Sequence, residues 1–599
     1  MRMLNGRLYR AALVPFLFAL AIAAFSLTGQ SGTFSSTLAP DAFEGQSAYA
    51  ELGRLLAAYP DRRPGSQGDD RLARHIAGTL EGLGGTAGGG FSVRTLRSSG
   101  QTIDGERSLT TVIAQRPGST EASPIVILAH RDAAAPRSEA ELSGTAALLE
   151  LARVFATRET KRTIVLVSTS GGSGGDAGAT AALEALHGPF DAAIVLGDLA
   201  GSHTSRPWVV PFSDGFGSAP QQLQRTVDAA ITQQTGLQPG TPSAVSQAAH
   251  LAFPFAVGEQ GVLEARGLPA VLVQVSGESG PPAPGEAVSA ERLEGLGHSV
   301  LSAVDALDTA PDIGTAPQRG VALKSKMIPA WAVRLLVGTL LLGPLLLAAD
   351  GFARMRRRRR PVGRWILWTL SCALPFVACA LLAYVLGLLG IVAAPAVPVP
   401  AASMPFDGTA ATAVLAVVLT FALAWLLWGM LARRLHWDTR PDPDAAGLAV
   451  LLVLLAVSIV VWLRDPYAAL LMVPALHLWL LLLAPERRPR RLAAAAVVGL
   501  SLLPLALLLA FYASQFGLGP GEVAWTAVLL LAGGQVGPLA ALLWSLALGC
   551  AAAAGIVALH PEAPLAGPAA LEGIEISVRG PMSYAGPGSL GGTESALRR

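Results

Sequence analysis

Cysteine is scarce in this chain. Its 599 residues include three, Cys372, Cys379 and Cys550, all within long apolar segments, so no disulfide framework organises the polar part. Charge is scarce as well: 14% of residues are charged and the formal net charge is +2. No basic stretch carries interleaved aromatics, which argues against nucleic acid as a partner. The apolar runs of the C-terminal half hold almost no ionisable side chains; Asp350 lies at the end of one run and His477 stands alone in another. A transporter usually shows its site as ionisable residues inside its spans, so that signal is weak here. Hydrophobic residues, by contrast, make up 52% of the chain. That is too apolar for a soluble protein, and the length is too great for one domain.

The apolar runs divide the chain. Arg2, Arg7 and Arg10 precede a run from Ala11 to Leu27, which reads as an N-terminal signal anchor within residues 1–30. Residues 40–315 are polar and alternate β-branched runs with helical ones, which predicts an α/β domain with a mainly parallel mixed sheet flanked by helices. Expected strands are Ser108–Gln115, Pro124–Ala129, Thr163–Ser168, Ala192–Leu196 and Ala270–Val275. Expected helices are Ala48–Ala58, Asp70–Leu83, Gly144–Thr157 and Ala290–Leu307. From 328 to 560 the runs Ile328–Ala349, Trp365–Ala393, Thr409–Leu431, Ala445–Leu463, Tyr467–Ala484, Leu492–Ser514 and Val523–Leu559 predict an all-α polytopic membrane domain of about seven to eight spans. Gly533, Gly534, Gly537 and Pro538 break the last run into a short helix and a full span. The tail, 561–599, is rich in Gly, Pro and Ser and is expected to be disordered.

Arginine placement orients the map. Arg354, Arg356 to Arg360 and Arg364 follow one span, then Arg433, Arg434 and Arg440, then Arg487, Arg488, Arg490 and Arg491; the alternate loops 395–408 and 515–521 have no Lys or Arg. Basic residues in short loops stay cytoplasmic. The expectation is an integral cell-membrane protein in contact with the lipid bilayer, its N-terminus cytoplasmic and residues 40–315 extracytoplasmic.

Within the polar part, Asp61-Arg62-Arg63-Pro64-Gly65-Ser66 precedes a helix, and Ile125 to Ala129 leads into His130-Arg131-Asp132. Leu142-Ser143-Gly144 opens a helical run, and Val195-Leu196-Gly197-Asp198-Leu199-Ala200-Gly201 follows a later strand. In order and spacing this resembles the co-catalytic zinc aminopeptidases of clan MH, family 28, over residues 48 to 308. The resemblance implies two zinc ions, and a glutamate that takes a proton from a metal-bound water. It implies His130 and Asp198 as ligands of one metal, with Asp132 orienting the His130 ring.

The rest of the implied site is missing. The bridging aspartate, four residues before Gly144, falls on Ala140, although Glu139 and Glu141 flank it as possible substitutes. The base and the next ligand fall on Gly172 and Ser173, and the loop from Glu278 to Pro284 lacks the final histidine. A catalytic zinc usually keeps three protein ligands, and loss of the base costs roughly 10²–10⁴-fold in rate. The expectation is therefore a pseudo-peptidase with no catalytic residue at Gly172 and at most one weakly held zinc at His130 and Asp198. It would bind a peptide or protein ligand in its outer cleft. Three other readings stand beside it: a divergent active metallo-aminopeptidase, a membrane transport or assembly protein with an accessory outer domain, and a serine hydrolase. The last rests on Gly171-Gly172-Ser173-Gly174-Gly175, with Ser173 as nucleophile and Asp198 and His203 or His250 as partners.

Overall fold

The computed structural model describes residues 6–83, 90–186, 188–202, 206–280, 285–313, 318–435, 443–482 and 491–559. The tail 561–599, His187, His203 and the loop 281–284 lie outside the described residues, as do Arg440 and the basic cluster from Arg487 to Arg490.

A seven-stranded mixed sheet forms the α/β part. Its strands are β1 (Ser92–Thr102), β2 (Gly105–Arg116), β3 (Ile125–His130), β4 (Ile164–Thr169), β5 (Ala192–Leu196), β6 (Trp208–Val210) and β7 (Ala270–Gln274). They lie in the order β1-β2-β4-β3-β5-β7-β6. The inner four, β4-β3-β5-β7, run parallel, and antiparallel pairs close both edges. The inner strands are buried on both faces, which is why they read as unbroken apolar runs. Side chains alternate between two cores: Ile125, Ile127 and Ala129 join the helices 45–58, 67–82, 139–157 and 290–309 on one face, while Val126 and Leu128 face helix 177–185 on the other. All the expected strands and helices occur, with ends shifted by a few residues. The hairpin strand β1 was not expected, because Ser92 to Thr102 shows no apolar alternation; pairing with β2 in register from Ser92↔Gln115 to Thr102↔Gly105 forms it.

One boundary differs in a way that matters for the site. The helix expected from Gly144 begins at Glu139, with Glu139 and Glu141 in its first turn, where carboxylates favour the positive end of the helix dipole. Gly144 therefore lies inside the helix. A Cβ there would stand 2.5 Å from the Leu196 carbonyl oxygen and 2.7 Å from that of Gly197, so glycine lets the helix lie against the end of β5.

Six helices are long and apolar enough to cross a membrane: Gly6–Phe25, Ala330–Arg357, Val362–Leu388, Gly408–Arg434, Asp444–Arg464 and Pro538–Leu559. The pair Leu492–Ser501 and Leu503–Gln515, bent by 52°, makes a seventh if it counts as one span. Pro466–Leu481 and Pro520–Ala532 are shorter apolar helices; the first covers most of the run expected as a span from Tyr467. The first helix packs on Ala330–Arg357: Tyr9 Oη lies 2.8 Å from His477 Nδ1, and His477 Nε2 lies 3.1 Å from the Leu340 carbonyl. His477 is thus a hydrogen-bonded packing residue between helices. Tyr512 of the bent pair donates to the Phe253 carbonyl at 2.7 Å, and Gln535 Nε2 donates to the Asp214 carbonyl at 3.2 Å, which joins the helical part to the α/β part.

Glu264 sets one pH dependence of stability. It is 5% exposed and accepts the Ala270 N–H at 2.6 Å; burial pushes its carboxyl from 4.5 up to about 8. The folded state therefore holds this proton more tightly than the unfolded state. Its contribution is complete below about pH 4.5 and is lost as pH rises through 8, at about 1.4 kcal/mol per unit. Glu264→Gln keeps an acceptor for Ala270 and is expected to flatten the decline of thermal stability of the full-length protein between pH 5 and 8; an unchanged slope would rule Glu264 out as its source.

Candidate functional site

The candidate site residues lie at the carboxyl ends of the parallel strands, where the chain leaves the sheet in loops and strand order reverses. His130 ends β3, Gly172 and Ser173 follow β4, Asp198 follows β5, and Glu278 follows β7.

His130 is 11% exposed. Its Nδ1 lies 3.1 Å from the Asp132 main-chain carbonyl and 3.6 Å from Asp132 Oδ1. The Asp132 carboxylate serves mainly the loop after β4: Oδ1 accepts the Gly172 N–H at 3.1 Å, and Oδ2 accepts the Ser173 N–H at 3.0 Å and its hydroxyl at 2.5 Å. Burial raises the Asp132 carboxyl, but the His130 contact and the Ser173 bonds outweigh it and hold the group at about 2. Burial likewise pulls His130 down, yet Asp132, Glu259 and Glu141 together push it up to about 10.

Asp198 is 2% exposed. Its Oδ1 accepts the N–H groups of Ala200 at 3.1 Å and Gly201 at 2.7 Å, and Oδ2 accepts the Ser276 hydroxyl at 2.6 Å. These three bonds fix the carboxylate's orientation and leave one of its roughly four acceptor positions unused. Glu139 is partly exposed at the helix start. Glu141 is 8% exposed; burial pushes its carboxyl up to about 7 against the pull of His130 and Arg62. Ala140 is buried, and its carbonyl accepts from Ser143, whose oxygen in turn accepts the Leu199 N–H.

Position 172 has no room for a side chain. A Cβ on Gly172 would fall 2.4 Å from His130 Cβ and 3.1 Å from the Glu259 carboxyl carbon. Glu259, which opens the helix Glu259–Ala265, thus brings a carboxylate to the space beside His130 that position 172 leaves free. It is 1% exposed, and burial raises it to about 7 against the pull of His130 and the Thr169 hydroxyl. Asp176, in the left-handed region at φ 47°, is buried beside Glu259, and burial holds its carboxyl well above the usual range. Two cations oppose these acids besides His130. Arg62, 1% exposed, donates from Nε to the Arg131 carbonyl at 2.9 Å, and Arg131 pairs with Asp69 beneath the cleft at 2.8 Å. Sequence reasoning missed Glu259, Asp176 and Arg62, since none occupies a position with a role in the pattern; a glutamate next to glycine at a helix start is too common to single out.

The serine-hydrolase set is not assembled among the described residues. Ser173 donates to Asp132 and not to a histidine. His250 Nε2 pairs with Glu278 at 3.0 Å while its ring stacks on Phe212 at 3.6 Å, and Asp198 is held by its own loop. No group of three or more His, Cys, Asp or Glu side chains among the described residues is placed to hold a metal ion. His130 Nδ1 is turned to Asp132, and Asp198 is hydrogen-bonded to Ala200, Gly201 and Ser276, the kind of outer contacts that also orient metal ligands.

No protein-family model matches the chain, and no curated protein does. Among solved structures it is similar to BSAP, a zinc aminopeptidase from Bacillus subtilis, at 12% identity over 44% of this chain and 94% of that one, with a TM-score of 0.35. It is similar to an aminopeptidase from Aneurinibacillus sp. strain AM-1, at 12% identity over 46% and 97%, TM-score 0.36. A third is the glutaminyl cyclase of Bacteroides thetaiotaomicron, at 14% identity over 45% and 99%, TM-score 0.33. At these scores no residue role is taken from them.

Proposed function

We propose that this chain is a membrane-anchored, aminopeptidase-like protein whose α/β domain stands on the extracytoplasmic side and binds a peptide or protein ligand in its cleft without hydrolysing it. The carrying observation is the state of the inherited positions. Position 172 cannot hold a carboxylate, because His130 Cβ occupies the space, and Asp132 and Asp198 spend their oxygens on backbone N–H groups and serine hydroxyls. Hydrolysis through two metals needs free donors and a base at the attacking water. Here the charges are balanced internally, with His130 and Arg62 as cations among Asp132, Glu141 and Glu259. The buried carboxyls of Glu141 and Glu259 beside His130 offer acceptors to the amino end or N–H groups of a bound peptide.

Metal content of the full-length protein, purified in detergent without chelator and then dialysed against micromolar zinc, tests the reading. The expected result is well below one zinc per chain, and no release of p-nitroaniline from aminoacyl-p-nitroanilides. Two tightly held zinc ions with turnover would overturn it in favour of a divergent metallo-aminopeptidase.

A further inference from the structure

Three neighbouring cavities grade from apolar to cationic. The first, about 400 Å³, lies among the apolar helices and is roofed by Phe253 and Phe255 of the α/β part; Leu508, Leu530 and Trp544 are among its walls. The second, about 250 Å³, shares Phe253, Val536 and Trp544 with the first and adds Asp214, Gln535 and Arg464. The third, about 220 Å³, shares Phe216, Arg464 and Asp465 with the second and adds Arg319 and Arg334. The walls are thus continuous from a greasy interior to three guanidinium groups.

Among the described residues, none of those arginines is held in a salt bridge. Arg319, Arg334 and Arg464 are exposed; Asp465 lines the same cavity within reach of the charges of Arg334 and Arg319, and its Oδ1 accepts the Tyr467 N–H at 2.8 Å. Asp214 likewise accepts the Ala256 N–H at 3.2 Å. Arg464 closes the span Asp444–Arg464, and Arg334 sits in the second turn of Ala330–Arg357, so the cationic end lies at the level where spans end and headgroups begin. Trp331, 53% exposed, lines the same third cavity, as amphipathic rings do at that level.

We propose that these cavities form one site for an anionic membrane phospholipid, its acyl chain in the apolar cavity and its phosphate on Arg334 and Arg464, with Arg319 at the rim. An acyl chain matches an interior with almost no polar surface, and a planar guanidinium matches phosphate with two parallel hydrogen bonds. A lipid of the bulk bilayer needs neither the aromatic roof nor the arginines. The proposal is independent of whether the cleft at His130 binds or cleaves anything.

Native mass spectrometry of the full-length protein, exposed in detergent to equal amounts of phosphatidylglycerol and phosphatidylcholine, tests it. The wild-type chain is expected to retain phosphatidylglycerol about tenfold over phosphatidylcholine, and Arg334→Ala with Arg464→Ala to remove that preference. Leu509→Trp, at a half-exposed position on the apolar wall, is expected to cut retention of both lipids. Millimolar inorganic phosphate should leave the bound lipid in place. Equal retention of the two lipids by the wild-type chain overturns the proposal, as does a preference that survives loss of both arginines. Full displacement by inorganic phosphate would also overturn it, by showing an anion site without a lipid. All three substitutions lie at exposed or half-exposed positions, and an unchanged melting temperature confirms the fold of both variants.

Discussion

Arg131→Ala is expected to destabilise the α/β domain by about 3–5 kcal/mol, the cost of leaving a buried charge without its partner. Arg131 and Asp69 are both fully buried, with Arg131 Nε 2.8 Å from Asp69 Oδ1. The pair is a junction as well as a bond. Arg131 donates to the Ser168 carbonyl at 3.2 Å and to that of Thr110, while Asp69 accepts the Ser170 hydroxyl at 2.6 Å and the Gly65 N–H at 3.0 Å. Strands β2, β3 and β4 and the helix Gln67–Gly82 therefore meet on these two side chains. Removing the guanidinium strands the carboxylate in a place water cannot reach. Arg131→Met combined with Asp69→Leu removes both charges and is expected to recover most of the loss, because a buried pair replaced by apolar groups of similar volume is often close to neutral. Thermal and urea unfolding of the full-length protein, followed through the α/β signal, separates the cases; a single variant as stable as the double would show that the pair does not hold this junction.

Gly172→Glu, the substitution that returns the family base to its place in sequence, is expected to yield a less stable protein and still no peptidase. The new Cβ would lie 2.4 Å from His130 Cβ and 2.6 Å from its Cγ, and neither atom can move without shifting the end of β3. Overpacking of this kind costs roughly 1–3 kcal/mol, and the new carboxylate would add its charge beside Glu259 and Asp132. Gly172→Ala carries the steric part alone and should show most of the loss in melting temperature. Ser173→Ala keeps the backbone N–H bonds to Asp132 and gives up only the hydroxyl contact, so it should cost about 1 kcal/mol. Should Gly172→Ala melt with the wild-type protein, the crowding argument fails, and with it the reason for calling the base position closed.

Much of the fold was legible because it is written locally. The inner strands announce themselves as short β-branched runs, since burial on both faces leaves no polar alternation, and the spans announce themselves by length. That Ala140, Gly172 and Ser173 carry no carboxylate is a matter of residue identity, so it is read directly from the sequence. What failed was local in a different way. The helix at Glu139 was placed five residues late because its first turn is polar, and β1 was missed because its partner β2, not its own composition, makes it a strand. Glu259 was invisible for a stronger reason: it lies 129 positions after His130 in the chain, and only the packing of helix 259–265 against β7, β5 and the helix 177–185 brings its carboxyl to position 172.

By itself, then, the amino-acid order determined the division into an α/β part and apolar helices and the parallel centre of the sheet, because each depends on residues within one element or on a count between neighbours. Tertiary structure alone decided what became of the donors that remain: whether Asp198 is free or spent on Ala200, Gly201 and Ser276, which acids surround His130, and how Arg319, Arg334 and Arg464 come to share one cavity wall. Those outcomes rest on distances between side chains far apart in sequence, and a charge acts on whatever lies within a few ångströms of it, however many residues intervene along the chain.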